Sequence, residues 1–387
     1  MKQDYLITTN TNIRSERLSP IIKWAGGKEA ELKYILPNLP KTFDRYYEPF
    51  VGGGAVFFAL EGKEFFVNDK STELMTLYRL IQKGDTDFFE KLIEINGYWR
   101  LLEQIVENHS DVLLSIYREC SSPAVSQLHI KDLVTEFVLQ HVDDFNGILN
   151  TSFNIDIENF FQEMIRNLTN KISRTRVIEK EKGVFSNKDV LDNIESAVKS
   201  AFYMHFRHLY NKTQAYCINT SFATAIFYFV REFCYASMFR YNAHGEFNVP
   251  YGGIQYNRKD FLKKIQAIQS ESYKKHLEKT QLFNDDFEVF LKASKPKRND
   301  FIFVDPPYDS EFSTYAKHVF GRDDQIRLAN YLVNHTAKFM LVIKNTSFIH
   351  GLYSKKGLKI KVFDKRYLVS FQDRNDKNAE HLLITNY

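Results

Sequence analysis

The chain has few of the residues that build disulfide frameworks or zinc sites. Among 387 residues there are three cysteines, Cys120, Cys217 and Cys234, and no two of them stand in CxxC spacing. This odd number and this spacing indicate neither kind of site. Residues 1–19 lack the apolar core of a signal peptide, and no later stretch is long and apolar enough to span a membrane. We therefore expect a soluble cytoplasmic protein.

The chain also has little excess of either charge. Its formal net charge of +4 is compatible with a polyanionic partner but does not indicate one. A hydrophobic content of 44% excludes wholesale disorder, and the length allows one large domain or two. Aromatic residues are abundant, with 34 Phe and 22 Tyr, which suits a packed core together with stacking surfaces.

The most informative stretch is Asp305-Pro306-Pro307-Tyr308, which follows the apolar run Phe301–Val304. The run predicts a short buried strand, and the prolines must end its ladder because they lack a backbone N–H. Ligands of open α/β sheets bind outside the carboxyl ends of strands. The carboxylate, the proline carbonyls and the tyrosine ring suit a site that holds an exocyclic amino group of a stacked base. A rigid turn with a packed tyrosine is the alternative.

Two glycine-rich segments occur near the start of the chain. In the first, Gly26-Gly27-Lys28 precedes an amphipathic segment, so that backbone N–H groups and a lysine could approach an anion. It is not a Walker A loop, because Glu29 stands where Ser or Thr is needed. In the second, a predicted strand leads into Gly52–Gly54. The alternative for the first segment is a glycine turn that caps a helix.

The second glycine segment predicts a nucleotide-type site. A further short strand, residues 65–69, ends in Asp69, which is placed to accept hydrogen bonds from ribose hydroxyls. The interval from Gly54 to Asp69 predicts one helix between two parallel strands.

Five motifs stand in a fixed order along the chain: KWAGGK (residues 23–28), EPFVGGGAVF (48–57), NDK (68–70), FRYNAHGEFNVPYG (239–252) and DPPY (305–308). Together they resemble the Dam-type (D12 class, alpha-group) site-specific DNA adenine-N6 methyltransferases. The resemblance covers roughly residues 20–97 and 220–387. It implies an α/β fold: a Rossmann-like methyltransferase sheet with helices on both faces, plus a helical insertion and a hairpin-bearing DNA-recognition domain.

The resemblance also implies an activity and its site residues. The activity is methyl transfer from S-adenosylmethionine to adenine N6 in duplex DNA, with base flipping, no covalent intermediate and no metal. The residues expected to bind S-adenosylmethionine are Trp24, Lys28, Glu48, Gly52, Gly53, Gly54, Asp69 and Asp305. The expected catalytic residues are Asp305, Pro306, Pro307 and Tyr308. The residues expected to contact DNA are Tyr235, Arg240, Tyr241, Asn242 and Pro250.

Individual roles follow from residue chemistry. If Asp305 and the Pro306 carbonyl accept the two N–H bonds of the adenine amine, its nitrogen moves toward tetrahedral geometry and the developing charge is stabilised. Arg240 could address guanine O6 and N7 with its fork, and Tyr235 or Tyr241 could fill the gap of a flipped base. Ala236 and Ser237 replace an Asn-Gly pair that is usual in the family.

Residues 98–219 depart from the pattern of compact family members. Apolar residues recur there at helical spacing, which predicts a largely helical insertion. Its basic run, Lys171, Arg174, Arg176 and Lys180, either faces DNA phosphates or lies on a solvated helix face. We predict a loose lead-in at 1–19, a catalytic domain at 20–97 and 285–387, and an insertion with the recognition domain at 98–284.

Several functions remain open at this stage. Duplex DNA is the expected partner, and a cognate restriction endonuclease is a further candidate. The alternatives are methylation of cytosine N4 or of RNA, and a DNA-binding protein with an inactive methyltransferase fold. Methylation of cytosine C5 is disfavoured, because no cysteine follows a proline.

Overall fold

The computed structural model describes residues 13–14, 16–120, 125–147, 153–307, 320–354, 357–366 and 378–387. The chain forms two compact units, which we call the sheet unit (residues 1–84 and 268–387) and the helical unit (residues 85–267). The units divide earlier at both junctions than the predicted boundaries after residues 97 and 284. Gly84 ends one helix in a left-handed conformation and Asp85 caps the next, which marks the first junction.

α-Helices occur in the described residues of both units. Their bounds are α1 (Leu32–Ile35), α2 (Thr72–Lys83), α3 (Thr86–Asn108), α4 (Ser110–Glu119), α5 (Gln127–Gln140), α6 (Val142–Asn146), α7 (Ile157–Lys182), α8 (Asn187–Asn211), α9 (Thr220–Phe233), α10 (Phe261–Gln269), α11 (Glu271–Glu278), α12 (Phe287–Ser294), α13 (Arg322–Val333) and α14 (Ser347–Tyr353). The predicted helical character of residues 98–219 is confirmed by α3 to α8. None of the helices in the described ranges is long and apolar enough to cross a membrane.

The sheet unit is built on a seven-stranded sheet. Its strands are β1 (Tyr46–Glu48), β2 (Phe65–Asn68), β3 (Thr280–Phe283), β4 (Phe301–Val304), β5 (Lys338–Lys344), β6 (Lys359–Arg366) and β7 (Asn378–Thr385), in the order β3-β2-β1-β4-β5-β7-β6. The first five in this order are parallel, and β7 is antiparallel to β5 and β6. The strand order reverses between β1 and β4, so ligands are expected at the carboxyl ends of these two strands.

Alternate residues of β1 point to opposite faces of the sheet, and both faces are covered. The Tyr46 ring packs against Phe65, which in turn contacts His276 of α11. On the other face the Tyr47 ring stacks on Phe66 and contacts Phe290 of α12. Burial on both sides explains why the central strands are continuous apolar runs. The predicted α/β sheet with helices on both faces is confirmed.

The connection from β1 to β2 differs from the prediction. Instead of a helix between Gly54 and Asp69 there is a single 3₁₀ turn, Phe57–Ala59, and residues 55–60 are all buried. The Phe57 ring contacts the rings of Phe65 and His276. This short segment is apolar on every side and has no polar face that could be exposed to solvent. It is therefore buried as irregular chain after the glycine turn and does not form an amphipathic helix.

The helical unit contains buried charges that tie helices to loops. The Lys199 amine is fully buried and donates to Glu103, to Glu195 at 2.7 Å and to the Asn257 carbonyl at 2.9 Å. Glu232 is also fully buried and accepts from the amines of Lys259 and Lys264. Burial opposes the ionisation of Glu232, but the two lysine charges outweigh it and lower its pKa to about 2.

The basic run on α7 does not form one surface. Arg174 and Lys180 are exposed, Lys171 is half-buried, and Arg176 is buried. The pKa of Lys171 is lowered by burial and by the charge of Arg174. The prediction of a four-residue face is therefore wrong for Arg176, because α7 turns that side chain toward the interior of its own unit.

Candidate active site

Asp305 lies where the sequence places it, directly after β4 and beside the switch point of the sheet. Its Oδ1 is 2.5 Å from the Nζ of Lys28, a side chain that is only 3% exposed. Lys28 also donates to the Gly26 carbonyl at 2.8 Å and lies 3.9 Å from Glu31. The ion pair thus brings together the first and the last motif of the sequence, which are far apart along the chain.

The two prolines after Asp305 sit differently. Pro306 is buried and Pro307 is exposed, and the Pro307 carbonyl accepts a hydrogen bond of 2.9 Å from Nε2 of the buried Gln325 in α13. This bond anchors the loop to a helix of the same unit. Tyr308, the fourth predicted catalytic residue, lies outside the described residues.

Asp69 organises the glycine turn. Its Oδ2 accepts from the Gly52 N–H at 3.1 Å and its Oδ1 from the Ser71 N–H at 2.9 Å. The Gly52 carbonyl in turn accepts from the Tyr78 hydroxyl at 3.0 Å. Burial raises the pKa of Asp69 to about 6, against the lowering effect of the bonds from Ser71 and Gly52. The Asp69 carboxylate, which follows β2, therefore binds the glycine turn that follows β1.

The glycines of that turn are needed for packing within the protein. A Cβ on Gly52 would come within 2.9 Å of the Trp24 ring, and one on Gly53 within 2.3 Å of the Ile22 carbonyl oxygen. A Cβ on Gly54 would lie 2.7 Å from both Phe58 and the Tyr78 hydroxyl. The sequence suggested glycines that leave room for a ligand, whereas the close neighbours in the structure are Ile22, Trp24, Phe58 and Tyr78.

Glu48, at the end of β1, is buried and accepts a hydrogen bond of 2.7 Å from the Tyr46 hydroxyl. Burial raises its pKa well above the usual range. The Asp305 charge acts in the same direction, whereas the hydrogen bond from Tyr46 and the charge of Lys28 oppose the shift. Glu48, Lys28 and Asp305 therefore form one electrostatic group at the carboxyl ends of the central strands.

Asn68, the first residue of the NDK motif, and the loop after β3 were assigned no role from the sequence, although both hold this edge of the sheet together. The Asn68 amide, 1% exposed, donates to the carbonyls of Pro49 and Asp285, each at 3.0 Å, and accepts from the Asp285 N–H at 2.8 Å. Asn284 donates to the Asp69 carbonyl at 2.8 Å. A signal was present, since Asn68 is a polar residue at the end of an otherwise apolar strand.

The predicted hairpin is present in the helical unit. Tyr241 pairs with Phe247, the Asn242 N–H donates to the Glu246 carbonyl at 2.8 Å, and Gly245 takes a positive φ of 76° at the turn. Asn211 of α8 bonds to both the N–H and the carbonyl of Phe247. We call residues 240–248 the hairpin, and it is held from behind by α8.

The residues expected to contact DNA differ in their exposure and in the hydrogen bonds that their side chains make. Arg240 donates through Nε to Asn248 Oδ1 at 2.8 Å and through Nη2 to the Asn248 carbonyl at 2.9 Å. The side chain of Asn242 bonds to Glu246 and to the His244 N–H, so it stabilises the hairpin itself. Tyr241 is half-buried, whereas Tyr235 and Pro250 are exposed.

Comparison with known proteins identifies the family. The family model described as D12 class N6 adenine-specific DNA methyltransferase matches residues 24–116 and 134–369, which is most of the chain. The chain belongs to this family. The reaction of the family is methylation of adenine N6 in DNA, and DNA is therefore the substrate of this methyltransferase.

Individual relatives agree with the family. The methyltransferase is 26% identical to the type II methyltransferase M.CviBI of Paramecium bursaria Chlorella virus NC1A, over 96% of this chain and 100% of that protein. It is 29% identical to the type II methyltransferase M.MjaIII of Methanocaldococcus jannaschii, over 96% and 99% of the two chains. It is 24% identical to the DNA N-6-adenine-methyltransferase of Escherichia phage P1, over 90% of this chain and 33% of that longer protein.

Proposed function

We propose that this methyltransferase transfers the methyl group of S-adenosylmethionine to adenine N6 at a specific sequence in duplex DNA, with the target base flipped out of the helix. The observation that carries the proposal is the ion pair between Lys28 and Asp305 at the switch point of the sheet. The proposed site of action of the methyltransferase is the cytoplasm, where the DNA of a prokaryotic cell lies.

The residues at the carboxyl ends of β1, β2 and β4 fit the methyl donor. S-adenosylmethionine carries a carboxylate, an ammonium group and a ribose. When bound, it supplies an electrophilic methyl group attached to a sulfonium. Lys28 provides a cation for the carboxylate, Asp305 suits the cationic groups, and Glu48 offers acceptor oxygens. Asp69 suits the ribose hydroxyls. Trp24 and the turn Gly52–Gly54 complete the proposed site.

Asp305 is the proposed acceptor for the adenine amine. Lys28 fixes the orientation of its carboxylate, and burial of Lys28 strengthens this pairing because the local dielectric is low. The Pro306 carbonyl is the second acceptor, since the prolines bring no N–H to compete for it. With both N–H bonds of the amine held, its nitrogen lone pair is turned toward the methyl group. Tyr308 is proposed to hold the base flat.

Arg240 is the proposed reader of a base edge. Asn248 engages its Nε and one hydrogen of Nη2, and among the described residues Nη1 has no hydrogen-bond partner. The end of the guanidinium therefore keeps two outward N–H groups that can bind O6 and N7 of a guanine. Tyr235, 45% exposed, is the proposed residue that fills the gap left by the flipped base.

The function is tested by incubating the protein with unmethylated genomic DNA and labelled S-adenosylmethionine and then mapping the modified base. Label on adenine N6 within one sequence context is the expected result. Label on cytosine N4, or label only when RNA replaces DNA, would support the rival enzymes instead. DNA binding without any transferred label would support an inactive methyltransferase fold.

The type II names of two relatives support a cognate restriction endonuclease that shares the recognition sequence. In that case DNA modified by this methyltransferase should resist an endonuclease of the same sequence specificity. Cleavage of fully modified DNA at the mapped sequence would contradict the pairing.

Arg240→Ala should relax the choice of base at one position of the target sequence. The lost bidentate contact should weaken binding to the preferred duplex by about 1–3 kcal/mol and leave binding to a scrambled duplex nearly unchanged. Binding titrations on both duplexes measure the difference. Arg258→Ala, which removes a cation of the same unit with a 69% exposed side chain, is the control. Equal losses on both duplexes would mean that Arg240 contacts only phosphate.

Asp69→Asn should weaken binding of the methyl donor about tenfold or more, because a charged partner of the ribose is lost. The Asn side chain has one acceptor oxygen in place of two, so it loses the hydrogen bond from either the Gly52 or the Ser71 N–H. Stability should therefore fall at acidic pH and recover toward that of the parent at neutral pH. Since the folded-state pKa of Asp69, about 6, lies above its usual value of 3.8, its ionisation weakens folding, and this effect grows as the pH rises from 3.8 through 6.

Calorimetry with the donor and urea unfolding at acidic and neutral pH can separate these two effects. The stability of the Asp69→Asn variant relative to the parent should increase with pH. Donor affinity equal to that of the parent would remove Asp69 from the proposed donor site.

A further inference from the structure

The loop at residues 234–239 connects α9 to the hairpin, and we call it the recognition loop. It contains two consecutive residues with positive φ, Ala236 at 51° and Ser237 at 53°. This left-handed region is unfavourable for residues that carry a Cβ and is the ordinary territory of Gly and Asn. The loop therefore holds a backbone shape that its own residues disfavour, and other contacts must maintain it.

Arg231 provides two of these contacts, beside the backbone bond from the Tyr235 N–H to the Pro250 carbonyl at 2.8 Å. It lies in the last turn of α9 and is 1% exposed. Its Nη2 donates to the Ser237 carbonyl at 3.0 Å and its Nη1 to the Met238 carbonyl at 2.6 Å. A planar guanidinium that donates to two successive carbonyls fixes the peptide between them, and a lysine amine has no such fork.

The same guanidinium joins the recognition loop to the hairpin. Its central carbon lies 3.5 Å from the ring centre of Phe239 in the loop and 5.5 Å from that of Phe247 in the hairpin. Phe247 is paired with Tyr241 across the hairpin. One buried side chain therefore contacts the strained loop and the element that carries Arg240.

Neighbouring buried charges do not duplicate this role. Glu232, the next residue of α9, pairs with Lys259 and Lys264, which belong to the segment after the hairpin. Lys199 binds the Asn257 carbonyl, also after the hairpin. Among the described side chains, Arg231 is the buried cation that donates to carbonyls of the recognition loop.

We propose that Arg231 is a positioning residue for sequence recognition: it maintains the left-handed pair Ala236-Ser237 and thereby sets Tyr235 and Arg240, which flank that pair, for DNA. The Asn-Gly pair usual in the family adopts this backbone readily, whereas Ala-Ser requires the guanidinium. The inference rests on the proposed function, because it assumes that Tyr235 and Arg240 meet the target sequence.

The test combines Arg231 variants with a relaxed loop. Arg231→Lys and Arg231→Met are each prepared in the parent and in an Ala236→Asn, Ser237→Gly background, with Arg258→Lys as a surface control. Values of kcat and KM are measured on the mapped target duplex and on a scrambled duplex, and circular dichroism reports folding. In the parent background, Arg231→Lys should lower kcat/KM on the target at least about tenfold and reduce the target-to-scrambled ratio.

The relaxed loop should restore most of that loss, because Asn-Gly lowers the conformational cost that Arg231 otherwise offsets. Losses of equal size in both backgrounds would overturn the proposal and leave Arg231 a merely structural residue. An unchanged target-to-scrambled ratio in folded Arg231→Lys would also overturn it. If Arg231→Met does not fold, Arg231→Lys decides alone.

Failure of the proposed function is distinguishable from failure of this inference. A parent protein that transfers no methyl group to adenine contradicts the function. In that case the preferred duplex is selected from a random-sequence pool by its binding to the parent, and binding titrations with it and with a scrambled duplex compare the Arg231 variants in the two backgrounds. Restored preference for the target duplex in the Asn-Gly background supports the role of Arg231, and absence of restoration overturns it.

Discussion

Asp305→Ala should abolish methyl transfer, with a loss of kcat of at least about 1000-fold, because the main acceptor for the adenine amine is removed. Binding of the methyl donor should weaken but remain measurable, since most of its proposed contacts lie at Lys28, Glu48 and Asp69. Single-turnover transfer on target DNA and calorimetry with the donor measure the two effects. Glu278→Gln, which neutralises an exposed acid of the sheet unit, is the control and should match the parent.

Asp305→Asn is the matched variant. It keeps the shape and one carbonyl acceptor but loses the charge that pairs with Lys28 at 2.5 Å. Its activity should lie between those of the parent and the alanine variant. If Asp305→Ala retains kcat within about tenfold of the parent, which is roughly 1.4 kcal/mol of barrier, Asp305 is not the catalytic acceptor.

The positions of the strand-end residues could be predicted from sequence because each rests on a local pattern. Phe301–Val304 is a continuous apolar run stopped by two prolines, and it is β4. The acid that follows it therefore had to lie at the carboxyl edge of the sheet. The pairing of Asp305 with Lys28 could not be predicted locally, since the two residues are far apart in sequence and meet only in the folded sheet unit.

The β1 to β2 connection shows where periodicity fails. Val56, Phe57 and Phe58 continue an apolar stretch, and length alone favoured a helix. In the structure this stretch is surrounded by Phe65, Tyr78 and His276, so it packs on all sides. Periodicity assigns helices by contrasting an apolar face with a polar one, and a fully buried segment offers no such contrast.

The basic run of α7 shows a related limit. Lys171, Arg174, Arg176 and Lys180 are close in sequence, but a helix spreads such positions around its circumference. Arg176 is consequently buried while Arg174 faces solvent. A charge run predicts a surface only when its spacing is compared with the helical period, and burial of a cation depends on partners contributed by other helices.

The role of the glycine turn is also a matter of tertiary packing. The motif Gly52–Gly54 is readily found in the sequence, yet the atoms that exclude a side chain there belong to Ile22, Trp24 and Tyr78. The sequence shows that glycine is used but not what approaches it. Gly52 and Gly53 thus connect the turn to the segment that carries Trp24 and Lys28, and Gly54 connects it to Phe58 and Tyr78.

Gly53→Ala should therefore disturb this methyltransferase strongly without touching a charged group. The new Cβ would lie 2.3 Å from the Ile22 carbonyl oxygen, a backbone atom that cannot move aside as a flexible side chain would. The segment around Ile22 must shift, although its Ile21 N–H bonds to the Gly53 carbonyl at 3.1 Å. We expect a loss of about 1–3 kcal/mol in the free energy of unfolding, as for other overpacked sites.

Donor binding should fall further, by about 100-fold, because misplacement of the segment that leads to Trp24 and Lys28 disrupts the proposed site as a whole. Gly97→Ala is the control. Gly97 lies within α3, an added Cβ there meets no atom within 4 Å, and alanine favours the helix, so this variant should bind the donor as the parent does. Urea unfolding and calorimetry separate the two losses. A Gly53→Ala variant that loses stability but keeps full donor affinity would show that the turn supports packing alone and does not place Trp24 and Lys28.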